Sequence, residues 1–237
     1  MNYDFQWSIL WEEPHRSRII EGLQTTVQLS ILAWALALAL GILIGSIRMS
    51  NSRPFRFLGT AYVEIFRNIP LLLQLFIWFF VFPLLLPRDW MLSWNRMDNV
   101  PFLTALLGLS LFTSARVAEQ IRSGISSIPK GQFDAAYSTG LSSFQTYRYI
   151  VIPYAFRVMI PAISSEFLTV FKNSALTLTI GVAEITNTAR AIEAWSFRGI
   201  EAYSVASLTY MATTASVVIF MSWLEHALRI PGLIGKR

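Results

Sequence analysis

The sequence predicts an all-α integral membrane protein of about five transmembrane helices. Two observations carry that class, and a third orients it. Of the 237 residues, 54% are hydrophobic and only 14% are charged, too little charge to cover a soluble domain of this size. Apolar runs such as LSILAWALALALGILIG and YMATTASVVIFMSW sit in stretches able to span a bilayer, which takes about 20 residues at 1.5 Å each. The basic residues divide unevenly between alternate loops, and this asymmetry, rather than nucleic acid, explains the net charge of +5. The absence of cysteine excludes disulfides, thiolate nucleophiles and Cys-ligated metal.

The segments follow in order within a single domain, 1–237. MNYDFQWSILWEEPHRSR lacks the basic region, apolar core and cleavage site of a cleaved signal, so it is expected in the mature protein. A first span, about 19–47, carries Ala37, Gly41 and Gly45 at four-residue spacing. That spacing lets a second helix approach closely, and it also arises because membrane helices are rich in Gly and Ala. A second apolar region, about 57–86, is interrupted by EIFRNIP and by Pro83. It predicts a bent start, with the crossing part beginning near Pro70 in a first helical turn. PRDWMLSWNRMDN reads as a loop whose Trp90 and Trp94 suit a membrane interface. Further spans are expected over about 101–123, 154–176 (with Pro161 inside) and 203–228. Between the last two, TLTIGVAEITNTARAIEAWSFRGIEA has room for a short re-entrant or interfacial helix.

One set of loops holds Arg48, Arg53, Arg56, Arg122, Lys130, Arg148, Arg229, Lys236 and Arg237. The other holds arginines roughly offset by acids such as Glu12, Glu13, Asp89, Asp98, Glu193 and Glu201. The first set is expected in the cytoplasm, with the N-terminus outside and the C-terminus inside.

QFDAAYSTGLSSFQTYRYIVIP then lies on the cytoplasmic side, too polar to cross. Pro129 ends the incoming helix. A short helix is expected after Gly131, with Asp134 in its first turn facing the positive end of the dipole. Gly140 stops it in a left-handed conformation. Ser142 and Gln145 have capping-box spacing for a second helix, with Phe144, Tyr147 and Val151 on one side and Pro153 at its end. Such an elbow suits a simple connection as well as a rigid lever.

Its spacing resembles the EAA loop of ABC-importer permease subunits: Glu-Ala-Ala, three residues, Gly, nine residues, Ile, one residue, Leu-Pro. Asp134, Ala135, Ala136, Gly140, Ile150 and Pro153 fall at those positions, with Asp134 in place of Glu and Ile152 in place of Leu. EIFRNIPLLLQLF, ARVAEQIRSGISSIPKGQ and FKNSALTLTIG are similar to the polar amino-acid members, so the resemblance covers most of the chain from about Gly22 onward. It implies the type I ABC-importer permease fold in a bacterial cytoplasmic membrane. It also implies a cytoplasmic coupling helix over about 129–153 seated on a separate ABC ATPase dimer, where ATP and Mg would bind. The implied partners are a second permease copy or a sister permease and an extracytoplasmic substrate-binding protein, besides membrane lipid. GLIGKR lacks the upstream Gly and the Ser/Thr of a phosphate-binding loop, so no ATP site or other cofactor is expected on this chain.

Ionisable residues at membrane depth are functional candidates. Glu64 with Arg67, and Arg116 with Glu119, stand three apart on their helices. Glu64, Arg67 and Glu119 are expected in structural ion pairs near the cytoplasmic boundary. Arg116 lies roughly 22 Å along its helix from Pro101. Its string, ARVAEQ, resembles the glutamate/aspartate members, where other amino-acid permeases place Tyr. A guanidinium can hold a carboxylate by two parallel hydrogen bonds. Arg116, Lys172, Glu166, Thr113 and Ser114 are therefore substrate-path candidates for glutamate, aspartate or their amides. Thr113, Ser114, Thr177 and Thr179 equally suit helix–helix hydrogen bonding. His15 and His226 are isolated, and neither a metal set nor a nucleophile–base pair is visible. A channel or secondary carrier fits less well, because the chain shows no internal repeat. A membrane enzyme would need a catalytic cluster.

Overall fold

The computed structural model describes residues 3–227. Among them the regular elements are all helical. They are α1 (His15–Arg48), α2 (Arg53–Asn68), α3 (Leu71–Phe76), α4 (Arg88–Asn95), α5 (Val100–Ser126), α6 (Lys130–Ser138), α7 (Ser143–Thr146), α8 (Ile152–Ser174), α9 (Ile185–Ser196) and α10 (Gly199–Ala227). Four stretches are long and apolar enough to cross a membrane: α1, α5, the run Ser143–Ile180 and α10. A fifth exists if Arg53–Asn68 and Leu71–Leu85, bent by 103°, count as one broken span.

That bend has a local cause. Ile69 precedes Pro70, whose ring disfavours helix at the residue before it. Ile69 and Pro70 are accordingly extended, with ψ of 127° and 137°. The buried Gln74 side chain then donates to the carbonyls of Phe66 at 2.9 Å and Ile69 at 2.8 Å, satisfying acceptors that the break frees. PRDWMLSWNRMDN, expected as a loop, instead contains the two-turn helix α4, with Asp89 in its first turn. Within the mixed stretch after α8, a 3-10 turn (Ala175–Ile180) and a left-handed Gly181 lead into α9.

Central α5 packs against α1, α2, α3 and α8. The small-residue stripe of α1 is what allows the closest of these approaches. A methyl group on Gly41 would meet Val117 Cγ1 at 2.5 Å, and one on Gly45 would meet Ile121 Cγ2 at 3.1 Å. Leu29, Ala33, Leu75, Leu109 and Val117 are fully buried around this axis. A second cluster joins α9 to α10 through Ile185, Ala189, Ile192, Ala202 and Ala206. The N-terminal segment is strapped to the start of α10: Glu201 accepts from the Tyr3 hydroxyl at 2.5 Å and from the Gln6 amide at 2.8 Å. Most of α10 stays open, with Leu208, Met211, Ile219, Phe220 and Trp223 all more than half exposed.

Candidate functional site: an interhelical ion pair and a capped elbow

The elbow is built from two sequence-encoded caps. Helix α6 ends in a full Schellman arrangement. Gly140 sits at φ +81°, its amide donates to Tyr137 O at 3.0 Å, and the Leu141 amide donates to Ala136 O at 3.2 Å. Two residues on, the Ser142 hydroxyl accepts from the Gln145 backbone N–H at 3.3 Å, and Gln145 Oε1 accepts from the Ser142 backbone N–H at 2.9 Å. This is the capping box that the spacing predicts.

Three expectations for the elbow are corrected. Helix α6 starts at Lys130, directly after Pro129, so Asp134 lies beyond the first turn. The second helix does not end at Pro153. It continues through a π-turn, Tyr147–Val151, into α8, where Pro153 occupies the first turn. Proline has no N–H to give the preceding turn, and the wider π-turn relieves its ring of the clash that would break an α-helix. The extra residue of the π-turn also shifts the register. Val151 is buried, whereas Phe144 and Tyr147 stay exposed, so the three do not share a side.

Of the coupling candidates, Asp134, Ala135 and Gly140 are exposed, Ala136 is buried, and Ile150 and Pro153 are half-buried. Around them stand outward aromatics: Tyr137, Phe144, Tyr147 and Tyr149. Phe133 meets Tyr147 edge-on with ring centroids 6.4 Å apart, joining the two arms.

Two ion pairs cross between helices, Arg116–Glu166 and Arg48–Glu119, and one, Arg122–Glu119, runs along α5. Arg116 Nε donates to Glu166 Oε2 at 2.7 Å, and its Nη2 donates to Glu166 Oε1 at 2.9 Å. Gln120 Nε2 adds a third bond to Glu166 Oε1 at 3.1 Å. The Glu166 side chain is 8% exposed and Arg116 43%. The fork thus joins α5 to α8 with one open edge, and Arg116 also lies over the Phe112 ring at 5.9 Å. Glu119 does not pair with Arg116. It accepts from Arg48 Nη1 at 2.5 Å and from Arg122 Nη2 at 2.6 Å, with Arg67 Nη1 3.6 Å away. Glu64 does not pair with Arg67 either: its carboxylate accepts from Asn68 at 3.1 Å while Arg67 turns toward Glu119. The two pairs expected three apart, Glu64–Arg67 and Arg116–Glu119, give way to other partners, whereas Arg122, also three from Glu119 on α5, does bond it.

The other path candidates are not drawn to this fork. Ser114 is fully buried, shares a 2.7 Å hydrogen bond with the Tyr62 hydroxyl and donates to Leu111 O at 2.8 Å. Thr113 is buried in the packing of α5. Thr177 and Thr179 donate to carbonyls of their own turn. Lys172 is exposed. Six residues from Glu166, it lies about 9 Å further along α8 and roughly 120° around it. Sequence reading passed over Gln120, Arg48 and the role of Glu184. Glu184, fully buried, caps α9 by accepting from the amides of Thr186 and Asn187 and ties it to α10 through Tyr210. No capping pattern marked it in the sequence, since Ser, Thr, Asp and Asn are the usual N-cap residues. Among the described residues, no group of three or more His, Asp or Glu is arranged to hold a metal.

Comparison with known proteins agrees with this architecture along the whole chain. The glutamate/aspartate import permease protein GltJ of Escherichia coli K12 is 37% identical over 100% of both chains. The probable glutamine ABC transporter permease protein GlnM of Bacillus subtilis is 32% identical over 90% of this chain and 94% of that one. The glutamine transport system permease protein GlnP of E. coli K12 is 29% identical over 95% and 99%. A crystal structure of an amino acid ABC transporter with histidines superposes with a TM-score of 0.81 at 29% identity, covering 96% of this chain and 100% of that one. An inward-facing form of the MetNI methionine ABC transporter, at 16% identity and TM-score 0.72, shares the fold. Residues 37–230 match the family described as binding-protein-dependent transport system inner membrane component. The chain belongs to that family.

Proposed function

We propose that this chain is the permease subunit of an ATP-driven importer that carries glutamate, aspartate or their amides across a bacterial inner membrane. The observation that carries the substrate class is the forked Arg116–Glu166 pair. A free amino acid is a zwitterion. An arginine that can take a carboxylate, beside a carboxylate that can take an ammonium, is complementary to both of its ends. Exchange of the internal pair for the substrate's own charges keeps every buried charge compensated, which a lone charge in this place would not. The acidic side chain or amide is supported by full-length likeness to GltJ and by likeness to GlnP and GlnM.

ATP hydrolysis belongs, on this reading, to a separate ATPase pair that holds ATP and Mg and receives the elbow. Asp134 supplies an acceptor for a basic residue of that partner, and Tyr137 and Phe144 supply exposed apolar area beside it. The permease works as a pair, with itself or with a sister subunit, and an extracytoplasmic binding protein delivers substrate. The loop charges support an N-terminus outside and a C-terminus in the cytoplasm.

Reconstitution of the chain with its sister permease, ATPase and binding protein tests the proposal. Glutamate or glutamine with binding protein should stimulate ATP hydrolysis and accumulate inside vesicles. Uptake of other amino-acid classes in preference to these would overturn the substrate assignment, and transport without any ATPase would overturn the mechanism.

A further inference from the structure

We propose that Arg48, Arg67 and Arg122, gathered on Glu119, form a binding site for a phosphate group, filled by the headgroup of an anionic phospholipid in the leaflet that the cluster adjoins. This site lies apart from the Arg116–Glu166 fork and from the elbow.

Charge is the first reason. Three guanidiniums meet one carboxylate. Two positive charges are left without a protein partner. The other acid in this region, Glu64, is exposed and bonded to Asn68. Unused donors are the second. Glu119 engages Arg48 through Nη1 and Arg122 through Nε and Nη2. Arg67 Nη1 stands 3.6 Å from the carboxylate, too far for a hydrogen bond, so its fork is uncommitted while 43% exposed. Arg48 has only 8% of its side chain exposed, and its Nε is buried without an acceptor. A charged donor left so is costly, and a nearby anion would relieve it.

Position is the third reason. Arg48 is the last residue of α1, Arg67 the last but one of α2, and Arg122 lies in the last turns of α5. Beside them α2 turns Phe55, Phe57, Leu58 and Ile65 outward, each more than half exposed, next to Arg53 and Arg56. A helix with an apolar outward face and basic residues lies at the level of lipid headgroups. The open fork of Arg67, with the Nη1 that Arg122 leaves unused, matches the paired oxygens of a phosphodiester.

The test uses the assembled permease–ATPase complex in nanodiscs of phosphatidylcholine alone or mixed with phosphatidylglycerol. Retained lipid is counted by native mass spectrometry, and the unfolding midpoint is followed. Wild type is expected to retain phosphatidylglycerol and to melt higher in the mixed discs. Arg67→Gln and Arg122→Gln should each weaken retention about fivefold and shrink the thermal gain. Arg88→Gln, an exposed charge on α4 outside the cluster, should keep both. Arg67→Lys retains the charge without the fork and should fall between, which reads the site even if a glutamine variant folds poorly. Equal retention and equal thermal gain in wild type and Arg67→Lys and both glutamine variants would overturn the site. If inorganic phosphate in phosphatidylcholine discs reproduced the whole gain, the lipid would be overturned as its source.

Discussion

At the scale of single residues, the decisive feature is how the polar side chains find one another. The sequence singled out Arg116 as a candidate to hold a substrate carboxylate, and in the fold the carboxylate it holds is that of Glu166. Its partner was not legible: Glu166 is 50 positions away, and only the packing of α5 on α8 brings it to 2.7 Å. Glu166→Gln tests the pair. Loss of the charge leaves Arg116 partly buried and uncompensated, so uptake should fall on the order of tenfold or more while the complex still assembles. With Arg116→Gln added, the loss should be smaller than the sum of the two single losses, since both act through one interaction. Additive losses in initial uptake rate would show that the two side chains work separately. Glu119 offers a contrasting case. It ties α5 to α1 through Arg48 and also takes Arg122 of its own helix. Glu119→Gln should therefore lower stability by about 2 kcal/mol, read as an earlier unfolding midpoint, and should leave the Km for substrate unchanged.

At the scale of elements, the caps of the elbow were readable and its continuation was not. A Gly four positions beyond an Ala-rich turn, then Ser-x-x-Gln, encodes a stop and a start within a few residues, and both form locally. The π-turn depends on how Pro153 is tolerated between two packed helices, which a pattern of apolar residues does not specify. Gly140 gives a clean test. A Cβ there would meet nothing within 4 Å, so space is not limiting and only the left-handed backbone is. Gly140→Val should therefore cost about 1–2 kcal/mol in the local fold, blur the elbow and reduce substrate-stimulated ATPase activity. Gly140→Asn, which tolerates this conformation, should stay close to wild type. Equal activity of the two variants would mean that the turn's handedness does not matter to coupling. Within α1 the reverse holds. Gly41→Leu would drive a side chain into Val117 at a 2.5 Å approach, and overpacking there should cost about 1–3 kcal/mol and lower the yield of folded protein.

At the scale of the whole molecule, fold class followed from hydropathy because every backbone polar group in lipid must bond internally, and helices are the cheapest way for a chain without strand alternation to do so. What hydropathy could not supply is mechanical continuity. The run from Ser143 to Ile180 is one 38-residue stretch, beginning at the exposed elbow and passing Glu166 on its way across. Thr146 and Glu166 are 20 residues apart, about 30 Å along a helix. On the proposed coupling, a tilt imposed at the elbow would reach the Arg116–Glu166 fork through a single helical run interrupted by the π-turn and by Pro161. Helix α8 also packs on both α5 and α10, so the tilt has neighbours to push against. Softening that run should break transmission without removing either end. Two glycines at Arg148 and Tyr149, both within the π-turn, would do so, since each Gly in a helix costs about 1 kcal/mol and adds backbone freedom. The variant should still assemble with the ATPase and still hydrolyse ATP, but more ATP should be consumed for each amino acid moved. An unchanged ratio, measured as hydrolysis and uptake on the same vesicles, would mean that force reaches the fork by another helix, with α5 and its direct link to α6 the next to test.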